Sequence, residues 1–109
     1  MRMSECGIAM STVSNREQAR LIADTVLGER LAACIQEIDI KSHYVWKGQV
    51  CHDDEILILM KTQKSLYRKL EQRLLEIHPY ETAEIMFVDA DKVGEAYGRW
   101  VMGQTGKEA

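Results

Sequence analysis

No part of the chain limits its fold as tightly as the run from Cys34 to Thr62. It reads CIQEIDIKSHYVW, then Lys47-Gly48-Gln49, then VCHDDEILILMKT. Alternation puts Cys34, Gln36, Ile38, Ile40, Ser42, Tyr44 and Trp46 on one strand face. Gly48 supplies the φ > 0 freedom of a tight turn, so the two runs predict a β-hairpin. Its first arm alone would span about 43 Å at roughly 3.3 Å per residue, where a usual strand has roughly 5–6 residues. A small domain cannot cover such an arm. Its far end would leave unpaired edges and exposed aromatics at Tyr44 and Trp46. The hairpin therefore predicts another subunit over it, with Tyr44 and Trp46 as interface residues. No basic patch surrounds these two rings, which argues against a base-stacking platform.

The chain has 109 residues, 46% hydrophobic and 28% charged. That size fits one domain over 1–109 with a single core and little stability to spare. Lys and Arg total 14 against 17 Asp and Glu, a formal charge of −3. A broad nucleic-acid surface needs a basic excess and is not expected; a small anion pocket is still allowed. No apolar run approaches the roughly 20 residues that span a bilayer, and the N-terminus lacks a signal-peptide core. Membrane insertion is not expected. Cys6, Cys34 and Cys51 are odd in number and follow no paired spacing. Reduced thiols in the cytoplasm are the simplest reading. No CxxC, HExxH, GxGxxG or GxxxxGK[ST] motif occurs.

The remaining elements follow closely. Residues 7–13 read as a first strand. Ser14 and Glu17 form a capping-box pattern. Behind it Ala19, Ile22, Ala23, Val26 and Leu27 make one apolar helix face, with Gly28 near its end. Residues 65–77 are helical, striped by Leu66, Leu70, Leu74 and Ile77. Pro79, the only proline, ends that helix at His78. Residues 83–88 read as a strand. Residues 91–102 read as a last helix with Val93, Ala96, Tyr97, Trp100 and Val101 inward, weakened by Gly94 and Gly98. The ends, 1–6 and 103–109, are expected to be mobile. The order β-α-β-β-α-β plus a C-terminal helix predicts an α+β, ferredoxin-like split-βαβ sandwich. The dense apolar run Ile56 to Met60 implies that both sheet faces are covered, again pointing to an oligomer.

Several residues could carry chemistry. His78, Cys34 and Cys51, with His43 and His52 on the hairpin, offer imidazole and thiolate, which suit copper or zinc. None share a helix face or a knuckle spacing, so a site must be assembled from distant segments. Cys34 reads equally well as a small buried hydrophobe, and Cys51-His52 as a solvated pair. Lys61, Tyr80, Glu81 and Glu84, with His78, could line a polar cleft. As structural residues, Glu81 and Glu84 would be a cap or an ion pair, and Lys61 a solvated strand end. Without a nucleophile, an activating dyad or a cofactor motif, catalysis is not expected.

Glu29-Arg30-Leu31-Ala32-Ala33-Cys34, Ser42-His43-Tyr44-Val45-Trp46-Lys47-Gly48, Glu55, Lys61-Thr62, His78-Pro79-Tyr80-Glu81, Glu84-Ile85 and Tyr97 through Trp100-Val101 together resemble the CutA divalent-cation tolerance family. The matching stretches cover nearly the whole chain. The resemblance implies a tight homotrimer of ferredoxin-like protomers whose hairpins reach onto neighbours, similar in architecture to PII signalling proteins. It implies a part in tolerance of copper and other divalent cations, with Cys34 and His78 as copper ligands. No cofactor is required on this reading, and copper ranks ahead of zinc or another divalent cation. A PII-like module binding a small molecule between subunits at Lys61, Tyr80, Glu81 and Glu84, or a purely structural interaction protein, is the alternative. Three positions depart from the family pattern. Ser11 stands where some bacterial members carry cysteine, which lowers the expected metal affinity. Ala83 stands for a common proline, and Gly98 for a larger apolar residue.

Overall fold

Residues 4–106 are described, from a computed structural model. The elements are β1 (Cys6–Val13), α1 (Arg16–Gly28), β2 (Cys34–Trp46), β3 (Gln49–Gln63), α2 (Tyr67–Ile77), β4 (Met86–Asp89) and α3 (Glu95–Gln104). A single 3-10 turn, Lys64–Leu66, leads into α2. The four strands form one antiparallel sheet in the order β2-β3-β1-β4. This is the ferredoxin-like arrangement expected from the element order.

Register assigns the faces, because paired residues point the same way and neighbours along a strand point oppositely. Ala9, Ser11 and Val13 pair with Met60, Ile58 and Ile56. All of these are buried, beneath Ala19, Ile22 and Val26 of α1 and Leu70 and Leu74 of α2. The expected apolar stripes of both helices thus meet one sheet face. Lys47 (φ 50) and Gly48 (φ 77) both have positive φ between Trp46 and its partner Gln49. That is the pattern of a type I′ turn, whose twist matches the flanking strands. The hairpin runs well past the helices, and the long axis of the protomer is 44 Å. Among the described residues, no helix is long and apolar enough to cross a membrane.

The second sheet face carries Ile8, Met10, Ile38, Leu57, Leu59, Met86 and Val88 by register. α3 covers only one end of it, where Lys61 lies under the Tyr97 ring and Gln63 bonds to Thr105. Beyond that end Met86, Val88 and Ile38 are 55%, 47% and 46% exposed. One protomer leaves this apolar face open.

Local details differ from expectation. The helix cap moves one residue along: Asn15 accepts from the Gln18 N–H at 2.9 Å, while Gln18 Oε1 accepts from the Ser14 N–H at 2.9 Å. Ser14 is not the cap because its hydroxyl engages Tyr80. At the other end of α1, Arg30 rather than Gly28 turns the chain. Its φ of 59, with Leu31 N donating to Val26 O and Arg30 N to Leu27 O, makes a Schellman ending. β4 starts at Met86, not at residue 83: its pairing with β1 ends at Met10, and farther along β1 the Thr12 carbonyl accepts from His78 Nε2 instead.

α3 is shifted to Glu95–Gln104 and turned about its axis. Gly98 and Val101 are buried, whereas Ala96, Tyr97 and Trp100 are exposed, not inward. Gly98 packs on the segment leading into α3, where an added Cβ would come within 2.9 Å of a Val93 methyl. Residues 4–6 and 103–106, expected to be mobile, are tied into the structure. Cys6 is buried in β1, Thr105 is buried, and Arg30 bonds the carbonyls of Gly103 and Gly106 at 3.2 and 3.0 Å. Residues 1–3 and 107–109, the rest of the ends expected to be mobile, lie outside the described residues.

Candidate functional site

Pro79 does what the sequence requires of it. α2 stops at Ile77, and His78 (φ −73, ψ 136) is extended, its N–H still reaching Leu74 O at 2.8 Å. The turn throws the His78 ring against β1. Nε2 lies 2.9 Å from Thr12 O and 3.1 Å from Ser11 Oγ, and Nδ1 accepts the Tyr80 N–H at 3.1 Å. A carbonyl only accepts, so Nε2 carries the proton and Nδ1 presents its lone pair. Both nitrogens are engaged. Burial lowers the imidazole pKa; the Thr12 carbonyl and the Glu55 charge oppose the shift.

Tyr80 extends the same cluster. Its hydroxyl donates to Glu55 Oε2 at 2.8 Å and sits 2.7 Å from Ser14 Oγ, while its ring meets His78 edge to face at 4.9 Å. Burial raises the phenol pKa, and the hydrogen bond to Glu55 adds to this while that to Ser14 opposes it. Thr12, Ser14 and Glu55 were not expected at the site: Ser14 reads from sequence as a helix cap and Glu55 only as part of the family resemblance. They come from segments far apart in the chain, and the one hint is a charged Glu55 abutting the apolar run from Ile56. Ser14 and Glu55 also line an open groove of about 560 Å³ with Arg16, Lys41, Asp39 and Asp54. Arg16 is held there by Glu37 and Asp39 at 3.3 and 3.1 Å.

The other candidate residues do not join this cluster within a protomer. Cys34 pairs with Lys61 on β3 and faces α3, whereas Ser11, which touches His78, faces the opposite side of the sheet. The sheet thus separates Cys34 from His78. Lys61 lies 5.9 Å from the Tyr97 ring centroid. It is six residues from Glu55 along β3, about 20 Å away at roughly 3.3 Å per residue. Lys61 therefore does not lie close to Tyr80, contrary to the cleft expected from sequence. Glu81 and Glu84 are exposed and have no hydrogen-bond or ion-pair partner among the described residues. Tyr44 and Trp46 stand near the hairpin tip on the open sheet face, 40% and 38% exposed. The Tyr44 hydroxyl donates to Asp53, which pushes the phenol up to about 12. Of the imidazoles and thiols, only His43 and His52 touch each other. Among the described residues, no group of three or more His, Cys, Asp or Glu side chains is placed to hold a metal ion.

A ferredoxin-like sheet with an overlong hairpin, joined to a His-Pro-Tyr turn that locks α2 onto β1, is a narrow combination. The chain belongs to the CutA1 divalent ion tolerance protein family, whose model matches residues 7–104. It is 34% identical over 100 residues to the divalent-cation tolerance protein CutA of Pyrococcus horikoshii, covering 92% of this chain and 98% of that one. It is 39% identical over 94 residues to the human protein CutA, covering 85% of this chain but 52% of the human one. The chain thus spans nearly all of the archaeal relative and about half of the human one. The divalent cation tolerance protein of Thermus thermophilus superposes with a TM-score of 0.89 at 35% identity, over 93% of this chain and 99% of that one. The family is named for ion tolerance and not for a reaction.

Proposed function

We propose that this chain serves in tolerance of, or response to, divalent metal ions, as a cytoplasmic homotrimer that catalyses no reaction and binds copper weakly. The observation that carries the reading is the family match across residues 7–104. The trimer is supported by the open apolar face, whose half-exposed Met86, Val88 and Ile38 need a cover that α3 does not supply. The cytoplasmic location rests on the odd, unpaired cysteine set, and the net charge of −3 speaks against a nucleic-acid partner.

Copper at His78 and Cys34 would be held at separate single-side-chain positions, because the sheet stands between them. Weak affinity follows from the local geometry. His78 must give up Thr12 or Tyr80 before either nitrogen can coordinate, and Ser11 supplies a hydroxyl where a thiol would favour copper. Cu(II) titration followed at each histidine ring by NMR tests this, with paramagnetic broadening expected at His78. An unbroadened His78 at saturating copper would remove it from the site. For the function itself, cells lacking the chain should grow less well in elevated copper; equal growth would refute the tolerance role.

One observation favours a second reading, a module for a small polar ligand. Tyr80 bonds two residues, Ser14 and Glu55, that line the open groove. In that reading Tyr80 sits at the edge of the site, and Lys61, Glu81 and Glu84 could contribute only across a subunit boundary. Saturable thermal protection by a metabolite, without added metal and lost in Tyr80→Phe, would support it.

A further inference from the structure

His43 and His52 are directly opposite each other in the β2–β3 ladder, and both are exposed. Their Nδ1 atoms lie 2.6 Å apart, with ring centroids at 4.8 Å and planes at 77°. Such a contact holds a single proton: one Nδ1 donates and the other accepts. Two lone pairs would repel there, and so would two N–H groups. A cation with two open coordination positions satisfies both nitrogens at once.

We propose that this cross-strand pair is a chelating site for one divalent transition-metal ion, with imidazole preference, strongest for Cu(II) and weaker for Zn(II). On binding, the donating ring moves its proton from Nδ1 to Nε2 through water. Both rings stay neutral and both Nδ1 lone pairs face the ion. Metal–nitrogen bonds of about 2.0–2.1 Å place the two nitrogens about 2.9 Å apart at neighbouring positions of tetragonal Cu(II) and about 3.3 Å apart on tetrahedral Zn(II). The pair opens from 2.6 Å to either span by small rotations of two exposed side chains. Water completes the shell. Imidazole nitrogens suit Cu(II) and Zn(II), with Cu(II) favoured by the usual order of divalent affinities.

The surroundings leave the pair accessible. Register puts His43 and His52 on the face opposite Tyr44, Trp46 and Ile38, so a subunit seated on the apolar face does not cover them. One step inward, Lys41 and Asp54 are already paired at 2.8 Å. Cys51 pairs with Tyr44 and points to the other side, so its thiol is not a ligand. The site is independent of His78 and of the tolerance role proposed above.

Cu(II) titration of the metal-free, full-length protein tests the site, with Cu(II) EPR for the ligand nitrogens and calorimetry with Zn(II) as a second probe. The first and tighter Cu(II) equivalent should show two imidazole nitrogens, ahead of the weak binding proposed at His78 and Cys34. His43→Gln and His52→Gln should each weaken binding at least tenfold, and the double variant little more than either, because chelation needs both rings. Cys51→Ser should leave this binding unchanged, and His78→Gln is measured beside it to separate the two copper positions. Melting curves report whether each variant folds. Wild-type affinity in either hairpin variant, or an EPR signal with one imidazole nitrogen, would overturn the proposal. Loss confined to His78→Gln would overturn it as well, while leaving weak copper binding at His78 standing.

Discussion

His78 looked from sequence like a metal ligand at a helix stop, and its neighbours make it first a clamp. Its two nitrogens tie the end of α2 to Thr12 of β1 and to the Tyr80 backbone. The clamp works only with a neutral ring. Burial lowers the folded-state pKa below the ordinary 6.5, so the unfolded chain takes up the proton first. The stabilisation is therefore present in full above about pH 6.5 and is lost as pH falls through the lower, folded value. His78→Gln, which has no titrating group, should flatten this acid dependence of the urea midpoint. An unchanged slope below pH 6.5 would show that His78 is not its source. Glu29 and Arg30, in the other family-like motif, are also structural. Glu29 binds the Arg73 guanidinium at 3.0 Å, and Arg30 holds the carbonyls at the end of α3.

The elements were the most legible level, because helix and strand periods are local. The hairpin runs where alternation and the Gly48 turn put it, and both core helices bury most of the stripes their spacing predicts, Leu27 at the end of α1 being exposed instead. β4 and α3 were less legible for different reasons. β4 pairs only as far as Met10 of β1, beyond which the His78 ring takes the Thr12 carbonyl. α3 buries Gly98 and Val101 and leaves Tyr97 and Trp100 half-exposed at its margin, since apolarity alone does not say which side of a helix meets a neighbour. Two glycine substitutions test the sheet. Gly48→Ala places a side chain at φ 77 and should cost roughly 1–2 kcal/mol by urea unfolding. Gly7→Ala would set its Cβ 2.8 Å from the Val88 carbonyl and against the Phe87 ring. About 1–3 kcal/mol of overpacking is expected, with faster amide exchange in β4. Full protection of β4 in that variant would mean the strands separate without penalty.

At the scale of the whole molecule the two sheet faces differ. Its helix-covered face is closed, and its other face presents Ile38, Met86 and Val88 half-exposed beside Leu57 and Leu59. Burying such a patch is worth about 25 cal/mol per Å² of apolar area, and a charge there must be desolvated or must hold the subunits apart. Light scattering should give three times the 12.5 kDa chain mass. Ile38→Lys should shift that mass towards the monomer while α1 and α2 stay folded by circular dichroism. A monomer in the unmodified protein at micromolar concentration would remove the homotrimer. Copper retained by a monomeric Ile38→Lys variant is the corollary for the hairpin histidines, which face away from that contact.

Local pattern was enough to read the succession of elements, the antiparallel hairpin and the stop at Pro79. Each follows from neighbours a few residues apart. The site was not readable in this way. His78 meets Ser11 and Thr12 across more than sixty residues of chain. Cys34 and Lys61 share a sheet face that His78 cannot reach. Which side chains converge depends on strand order and on the face each strand turns to the helices, and both are set by packing of the complete sheet. The paired rings of His43 and His52 lie between these limits. Hairpin register makes them opposite, and their folded positions bring the two nitrogens to 2.6 Å.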